Sequence, residues 1–313
     1  MEDSPSSPSR SVDGARGIEG IAQGGLVILD GPLGTELAAR GVATPAPLWS
    51  AAALVDARGC EAVRAIHREY TRAGATVHTA NTFRTKRRQA GDAWAELAAR
   101  AVALAREATS AGHRVAGSIA PLEDCYRPDL SPTGARAEHR ELSRALAAAG
   151  VDLLLCETFP HVGEALVALE EAAATGVEAW VSFTPGPSAD LLSPEDVGRA
   201  AREAASRGAR AVLVNCAPAT RTLEYVERLA ASGVPFGAYA NAGAADEGLG
   251  WAGGQDSASA ARYAALARRW IEAGATIVGG CCGTGPAHIA ALRVVVDEER
   301  ARRAGRGARS SGA

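Results

Sequence analysis

Short apolar runs alternate along the chain with longer stretches of Ala, Glu, Leu and Arg in which apolar residues recur at helical spacing. Leu26-Val27-Ile28-Leu29 opens the pattern. Seven later runs each follow a glycine near the end of an Ala-rich stretch: Gly74, Gly112, Gly150, Gly176, Gly208, Gly233 and Gly274. A glycine at such a point can adopt the left-handed conformation that ends a helix before a strand begins. The strands predicted are Leu26 to Asp30, Thr76 to Thr79, Arg114 to Ile119, Leu153 to Cys156, Trp180 to Phe183, Ala211 to Val214, Phe236 to Tyr239 and Thr276 to Val278. Segments between them, such as Ala93 to Ala111 and Gly163 to Ala174, are rich in strong helix formers. The seven glycines are separated by 38, 38, 26, 32, 25 and 41 residues, spacings that suit strand-helix units with loops of varied length. Eight such units predict a single α/β domain, a closed (β/α)8 TIM barrel, with an open doubly wound sheet as the alternative.

Composition narrows this picture. The chain has 313 residues, 47% of them hydrophobic, and a net charge of -3, which places it among soluble globular proteins. The barrel is assigned to residues 21–298. Met1 to Arg16 is rich in Ser, Pro and Arg and lacks the apolar core of a secretory signal, so residues 1–20 read as a disordered leader. The Ala-, Arg- and Gly-rich residues 299–313 read as a disordered tail. No apolar run reaches membrane-spanning length. Arginine is dispersed and the charge nearly balanced, which argues against a nucleic-acid partner. Lys86 is the only lysine, so Schiff-base chemistry would have to use it, and no Gly-Lys-Ser/Thr phosphate loop occurs. The six cysteines, Cys60, Cys125, Cys156, Cys216, Cys281 and Cys282, are not needed as a disulfide framework in a chain this long and apolar. A reducing, cytoplasmic setting is expected.

A barrel demands its active site where strands run out into their following loops. Those ends read Asp30-Gly31, Asn81-Thr82, Glu157-Thr158, Asn215-Cys216, Asn241 and Cys281-Cys282. Cys216 follows the sixth strand and the cysteine pair follows the eighth, two strands apart on the rim, so their thiols could converge on one ion. Three thiolates suit zinc and leave a fourth position for substrate. Packing as small hydrophobes, or a redox role for the adjacent pair, is the alternative. Cys156 is expected to point into a core layer or the helix side, and Cys60 and Cys125 to be structural. Asp30-Gly31-Pro32-Leu33-Gly34-Thr35 either stabilises a loop or lets substrate approach the backbone. Glu157 could hold a substrate ammonium, or pair with an arginine. His67, His113, His139 and His288 are expected at the surface, His161 just after a strand-end loop, and His78 inside a strand as a satisfied core residue.

Together, Asp30-Gly31-Pro32-Leu33-Gly34-Thr35-Glu36-Leu37, Thr79-Ala80-Asn81-Thr82-Phe83, Glu157-Thr158, Val214-Asn215-Cys216 and Gly279-Gly280-Cys281-Cys282-Gly283-Thr284 resemble the homocysteine S-methyltransferase family, in the family's order from about Gly25 to Val294. The resemblance implies a (β/α)8 barrel with one zinc ion held by three cysteines, matching Cys216, Cys281 and Cys282. It implies that the amino-acid end of homocysteine meets Asp30, Gly31, Glu157 and Thr158, with Asn81 joining the substrate-binding set. The activity implied is methyl transfer to the thiol of L-homocysteine, giving methionine, as in methionine biosynthesis. After the cysteine motif there is no room for the cobalamin or folate modules of large methionine synthases, nor a long C-terminal extension like that of betaine-dependent relatives. A sulfonium donor, S-methylmethionine or S-adenosylmethionine, is therefore expected, with betaine or another methylated amine as the alternative. Tyr239-Ala240-Asn241 departs from the family's common Tyr-Pro-Asn and removes a rigid backbone constraint on the donor side. Rival expectations are a redox protein using Cys281-Cys282, and a non-catalytic zinc-binding barrel or accessory subunit.

Overall fold

A computed structural model describes residues 25–243, 247–250 and 256–310, with side chains described through residue 305. Its strands are β1 (Val27–Ile28), β2 (Val77–Ala80), β3 (Arg114–Ile119), β4 (Leu153–Phe159), β5 (Glu178–Phe183), β6 (Ala211–Pro218), β7 (Phe236–Asn241) and β8 (Ile277–Gly280). A helix follows each: α1 (Ala57–Ala73), α2 (Trp94–Ala108), α3 (Arg136–Ala148), α4 (Val162–Ala173), α5 (Pro194–Ser206), α6 (Thr222–Leu229), α7 (Ser257–Glu272) and α8 (Pro286–Ser310). From β2 to β8 each strand pairs in parallel with the next, and β8 pairs with β1 through Val27–Ile277 and Ile28–Val278. The seam between β1 and β2 is closed by a bridge from Leu29 to Val77 and by the Asp30 N–H donating to the Val77 carbonyl at 3.0 Å. The sheet is therefore a barrel, and the open doubly wound alternative does not hold.

Alternation along the strands sorts the core. Leu29, Val77, Leu153, Leu155, Trp180, Leu213, Tyr239 and Ile277 form the cluster inside the barrel. Intervening residues such as Ile28, Val115, Leu154, Cys156 and Val214 pack outward against the helices, so Cys156 lies on the helix side. The seven predicted cap glycines all take φ between 79° and 112°, a region closed to most other residues. Asp56 caps α1 by accepting the Gly59 N–H at 2.8 Å, and Ser193 with Asp196 forms a capping box on α5.

Several expectations are corrected. The domain boundary at residue 298 falls inside α8, which continues to Ser310. Glu299 is buried there and pairs with Arg302 and with Arg303 (2.7 Å) one turn along, pairs that favour helix. The proposed leader at residues 1–20 and the last three residues lie outside the described residues. His67, His139 and His288 are buried rather than at the surface. His139 Nε2 is 3.1 Å from a Glu164 carboxylate oxygen, and His288 Nε2 is 2.6 Å from the Leu249 carbonyl, partners that make burial of those two rings affordable. His113 is half-buried against His78. Lys86 is also buried, donating to the Pro121 carbonyl at 2.5 Å. Among the described residues no helix is long and apolar enough to cross a membrane.

Candidate active site

A cavity of about 470 Å³ opens at the C-terminal end of the barrel, lined by Asp30, Gly31, Asn81, Glu157, Thr158, Cys216, Cys281 and Cys282 among others. Every residue predicted from the strand ends to bind substrate or metal thus reaches one chamber.

The Sγ atoms of Cys216, Cys281 and Cys282 lie within 4.8 Å of one another. Their backbone is held on three sides. Cys216 follows an irregularity in β6, where the register shifts between Asn215 and Pro218, and takes φ 53°. Its carbonyl accepts the Asn241 side-chain amide at 3.1 Å. The Cys281 N–H donates to the Ala240 carbonyl at 2.8 Å, and the Cys282 carbonyl accepts the Ala242 N–H at 2.9 Å, which lays the thiol loop along the end of β7. The Thr284 hydroxyl donates to the Cys281 carbonyl at 2.8 Å. A side chain at Gly280 would meet Thr284 Oγ1 at 2.2 Å, so any other residue there would displace the threonine that holds the Cys281 carbonyl. From α7, the Tyr263 hydroxyl accepts the Ala240 N–H at 3.1 Å and donates to the Gly279 carbonyl at 2.8 Å. Ala240 stands where the family pattern commonly has proline, and its hydrogen bond supplies a backbone constraint that proline would supply through its ring.

Crowded thiols titrate unequally. Donation from the Cys216 and Cys281 thiols into the Cys282 sulfur holds Cys282 well below the usual thiol range. Hydrogen bonding to Cys281 first, then to Cys282, and burial keep Cys216 well above it. Three sulfur ligands on one rim, one already inclined to thiolate, form a donor set that fits zinc, a borderline-soft ion bound by cysteine sulfur.

Across the cavity, the Glu157 carboxylate accepts hydrogen bonds from the Ser118 hydroxyl and from the Tyr239 hydroxyl at 3.0 Å. Among the described residues no arginine pairs with it, so its charge is left for a ligand. Burial raises its pKa, opposed by the two hydroxyls. Asp30 is likewise pushed well up by burial, and its Oδ2 accepts the Thr79 N–H at 2.9 Å, extending the β1–β2 closure. The Asn81 amide donates to the Ser50 carbonyl at 2.9 Å, tying the cavity wall to the loop that carries Trp49. Thr158 has φ 63° and is held by Asn215. Asn215 Oδ1 accepts the Thr158 N–H at 3.1 Å and the Ser182 hydroxyl at 2.7 Å, while its Nδ2 donates to Thr158 Oγ1 at 2.8 Å. Among the described residues, non-glycine positive φ occurs at Trp49, Thr158, Cys216 and Ala189, and the first three line this cavity. Backbone strain is thus concentrated at the site.

Sequence reasoning missed several participants. Cys125, expected to be structural, lines the cavity with Tyr126, and burial pushes its thiol up to about 12. It follows β3 only after a five-residue turn, so strand-end reading passed it over. Ser118, Ser182 and Tyr239 all alternate inward on their strands, the one signal that could have found them. Trp49 and Phe83 meet edge to face at 5.8 Å and supply an apolar wall.

A family model described as homocysteine S-methyltransferase matches residues 27–296. The chain is 33% identical over 299 residues to homocysteine S-methyltransferase of Escherichia coli strain K12, covering 86% of this chain and 94% of that one. It is 31% identical over 307 residues to an S-methylmethionine–homocysteine S-methyltransferase of Pongo abelii, covering 91% and 82% respectively. A crystal structure of the Escherichia coli homocysteine methyltransferase, described as a metallated form, matches with a TM-score of 0.73 at 29% identity, covering 90% of this chain and 99% of that one.

Proposed function

The chain belongs to the homocysteine S-methyltransferase family, and from that premise we propose that it transfers a methyl group from a sulfonium donor to the thiol of L-homocysteine, giving methionine, with one zinc ion held by Cys216, Cys281 and Cys282. The observation that carries this reading is the convergence of three thiol sulfurs within 4.8 Å, facing a carboxylate whose only described partners are hydroxyls. S-methylmethionine or S-adenosylmethionine is the donor. The name of the Pongo abelii relative supports the former.

The reaction forms a bond between the homocysteine sulfur and the donor's methyl carbon and breaks the methyl–sulfur bond of the donor. The bonding pair stays with the donor sulfur, which leaves as a neutral thioether, and the thiol proton goes to solvent. When bound, zinc would lower the pKa of the homocysteine thiol so that it reacts as thiolate near neutral pH. Glu157 orients the substrate ammonium through a charge-assisted hydrogen bond. Asp30 and Gly31 border the same end of the cavity and fix the amino-acid portion, with Thr158 beside Glu157 and Asn81 steadying the wall. Trp49 and Phe83 keep water from that side. The leaving group is a stable neutral molecule, so no general base is needed beyond the activated thiol, and alignment of the two reactants contributes much of the rate.

Metal analysis followed by a donor panel tests the proposal. Zinc that is retained only while the three cysteines are intact, and methionine formed from homocysteine with S-methylmethionine or S-adenosylmethionine, are the expected results. Cys282→Ala should lose zinc and turnover together. Cys60→Ala should keep both, since the Cys60 thiol faces the Leu54 carbonyl at 3.6 Å, away from the cavity. Protein purified under reducing conditions without zinc, or turnover that survives chelation, sinks the mechanism. Turnover with betaine alone would leave the acceptor half standing and overturn the donor assignment.

A further inference from the structure

A second group of metal-ligating side chains lies at the seam where β1 and β2 meet under α1, and the chemistry above leaves its two histidines unused. His67 comes from α1, His78 from β2 and Asp30 from just beyond β1. One ring nitrogen from each histidine and one Asp30 carboxylate oxygen lie within 4.8 Å of one another. All three side chains are buried, the histidines completely. His67 Nδ1 is 3.7 Å from Asp30 Oδ2, too far for a hydrogen bond. Both nitrogens of His67 have no hydrogen-bond partner. Buried polar atoms seldom go without one, and a fully buried ring with neither nitrogen satisfied, beside two other ligating groups, points to a missing ligand.

What the ligand is follows from the donors. Imidazole nitrogen and carboxylate oxygen are donors that first-row divalent ions accept, and both imidazoles offer theirs from a fully buried position. His78 Nε2 is 3.1 Å from His113 Nδ1, and the two rings stack at 5.3 Å. Metal-ligating histidines are commonly oriented by such an outer contact on the second nitrogen.

We propose that Asp30, His67 and His78 form a second metal site, selective for a divalent first-row transition ion such as zinc or iron(II) and separate from the thiol site. Two imidazoles and a carboxylate are a harder donor set than three thiolates, so the two sites differ in spectroscopy as well as position. Ligand atoms about 2.0–2.2 Å from one ion stand closer together than the present spacing, so modest side-chain rotation completes the site. The ion fixes the carboxylate that accepts the Thr79 N–H and closes the β1–β2 seam at the cavity rim.

The test uses the full chain loaded with Co2+ and freed of excess, with metal counted by mass spectrometry. Native protein should hold two ions per chain and the Cys281→Ser/Cys282→Ser variant one, whose spectrum lacks sulfur-to-metal charge transfer. Adding His67→Gln to that variant should remove the remaining ion. A double-serine variant that takes up no cobalt, or one whose ion survives His67→Gln, overturns the proposal. Should the variants fail to fold, crystals of the native protein soaked with Co2+ decide the matter. An anomalous peak between Asp30, His67 and His78 supports the site, and its absence beside an occupied thiol site refutes it.

Discussion

Replacing Asn215 by alanine should show how the site is held. Asn215 is 1% exposed and makes three hydrogen bonds, two to Thr158 and one from Ser182. Its removal strands the buried Thr158 N–H, a loss worth about 1–3 kcal/mol. The Ser182 hydroxyl can rotate toward another acceptor and adds up to about 1 kcal/mol. Thr158 sits at φ 63°, a conformation that costs a non-glycine residue about 1–2 kcal/mol, and without Asn215 the backbone is free to relax and recover part of this. A net destabilisation of about 1–3 kcal/mol results, a large share of the roughly 5–15 kcal/mol that holds a typical domain folded. The relaxation also moves Glu157, the preceding residue. A displacement of about 1 Å in a positioning group can lower the rate by roughly 100-fold, so kcat/KM for homocysteine should fall by about 10- to 100-fold. Urea unfolding should show a lower midpoint with unchanged slope, and steady-state kinetics a raised KM for homocysteine. An Asn215→Ala protein with native midpoint and native KM would refute the assignment of Asn215 as the anchor of the Thr158 conformation.

Three further outcomes are expected. Burial holds the Glu157 carboxyl above its ordinary range, so its protonated form is favoured in the fold: any stability linked to this group is complete below the ordinary carboxylate pKa and is lost as pH rises through the raised one. Ammonium binding requires the opposite form, so homocysteine affinity should fall as pH drops through that raised value. Glu157→Gln should remove this acid limb from the pH profile of 1/KM and weaken binding by about 10- to 100-fold, corresponding to a charge-assisted bond of about 1.5–3 kcal/mol; an unaltered profile would count against it. Gly280→Ala would drive a methyl group to within 2.2 Å of Thr284 Oγ1, which holds the Cys281 carbonyl. Zinc competition with a chelator should then show affinity lowered by roughly 10- to 100-fold, the usual effect of disturbing a ligand's supporting contacts. Thr158→Gly relieves the strain at φ 63° but loses one bond to Asn215. The two effects are each about 1 kcal/mol and opposed, so its urea midpoint should stay near native, in contrast to Asn215→Ala.

The eight units were legible because one structural event, a helix stopping before a strand, recurs with a glycine of positive φ, at or just past the helix end in six cases and, for Gly112, in a turn beyond the extended Thr109 cap of α2. The rim was legible for a related reason: in a barrel the end of each strand is a fixed place, so Asp30, Glu157, Cys216 and Cys281-Cys282 could be collected without knowing their distances. Other features depend on contacts between distant parts of the chain. The tie between Asn215 and Thr158 spans 57 residues and appears in no local pattern. His139 and His288 read as surface positions because periodicity counts histidine as polar, whereas Glu164 and the Leu249 carbonyl satisfy them in the interior. The end of α8 read as a loose tail from its Ala, Arg and Gly content, yet Ala and Arg are strong helix formers and Glu299 pairs along the helix with Arg302 and Arg303. Strand ends were drawn short on β4 and β6, because an irregularity adds residues without extending the apolar run.

Those two irregularities explain how so few strands serve so crowded a cavity. A regular strand points successive side chains to opposite faces, so it can offer the barrel interior only every second residue. On β4, Leu155 points inward and Cys156 outward, yet Glu157 and Thr158 both line the cavity. On β6, Leu213 points inward and Val214 outward, while Asn215 bonds across the interior to Ser182 and the adjacent Cys216 lines the cavity. In both pairs the second residue has positive φ, 63° at Thr158 and 53° at Cys216, and the register shifts at the same place. The backbone turn defeats alternation once on each strand, bringing a cavity-lining carboxylate and a threonine from β4, and an anchoring amide and a thiol of the proposed metal site from β6. Asn215 belongs to one irregularity and braces the other, so the strain in β4 is held by a residue whose own strand undergoes the same distortion. Beyond β8 the adjacent pair Cys281-Cys282 solves the same problem without strained non-glycine residues, by standing between Gly280 and Gly283, the latter at φ 80°. On β4 and β6 strain thus falls at the strand end where two neighbouring side chains must both turn inward, and glycine is used where the loop is free to supply it.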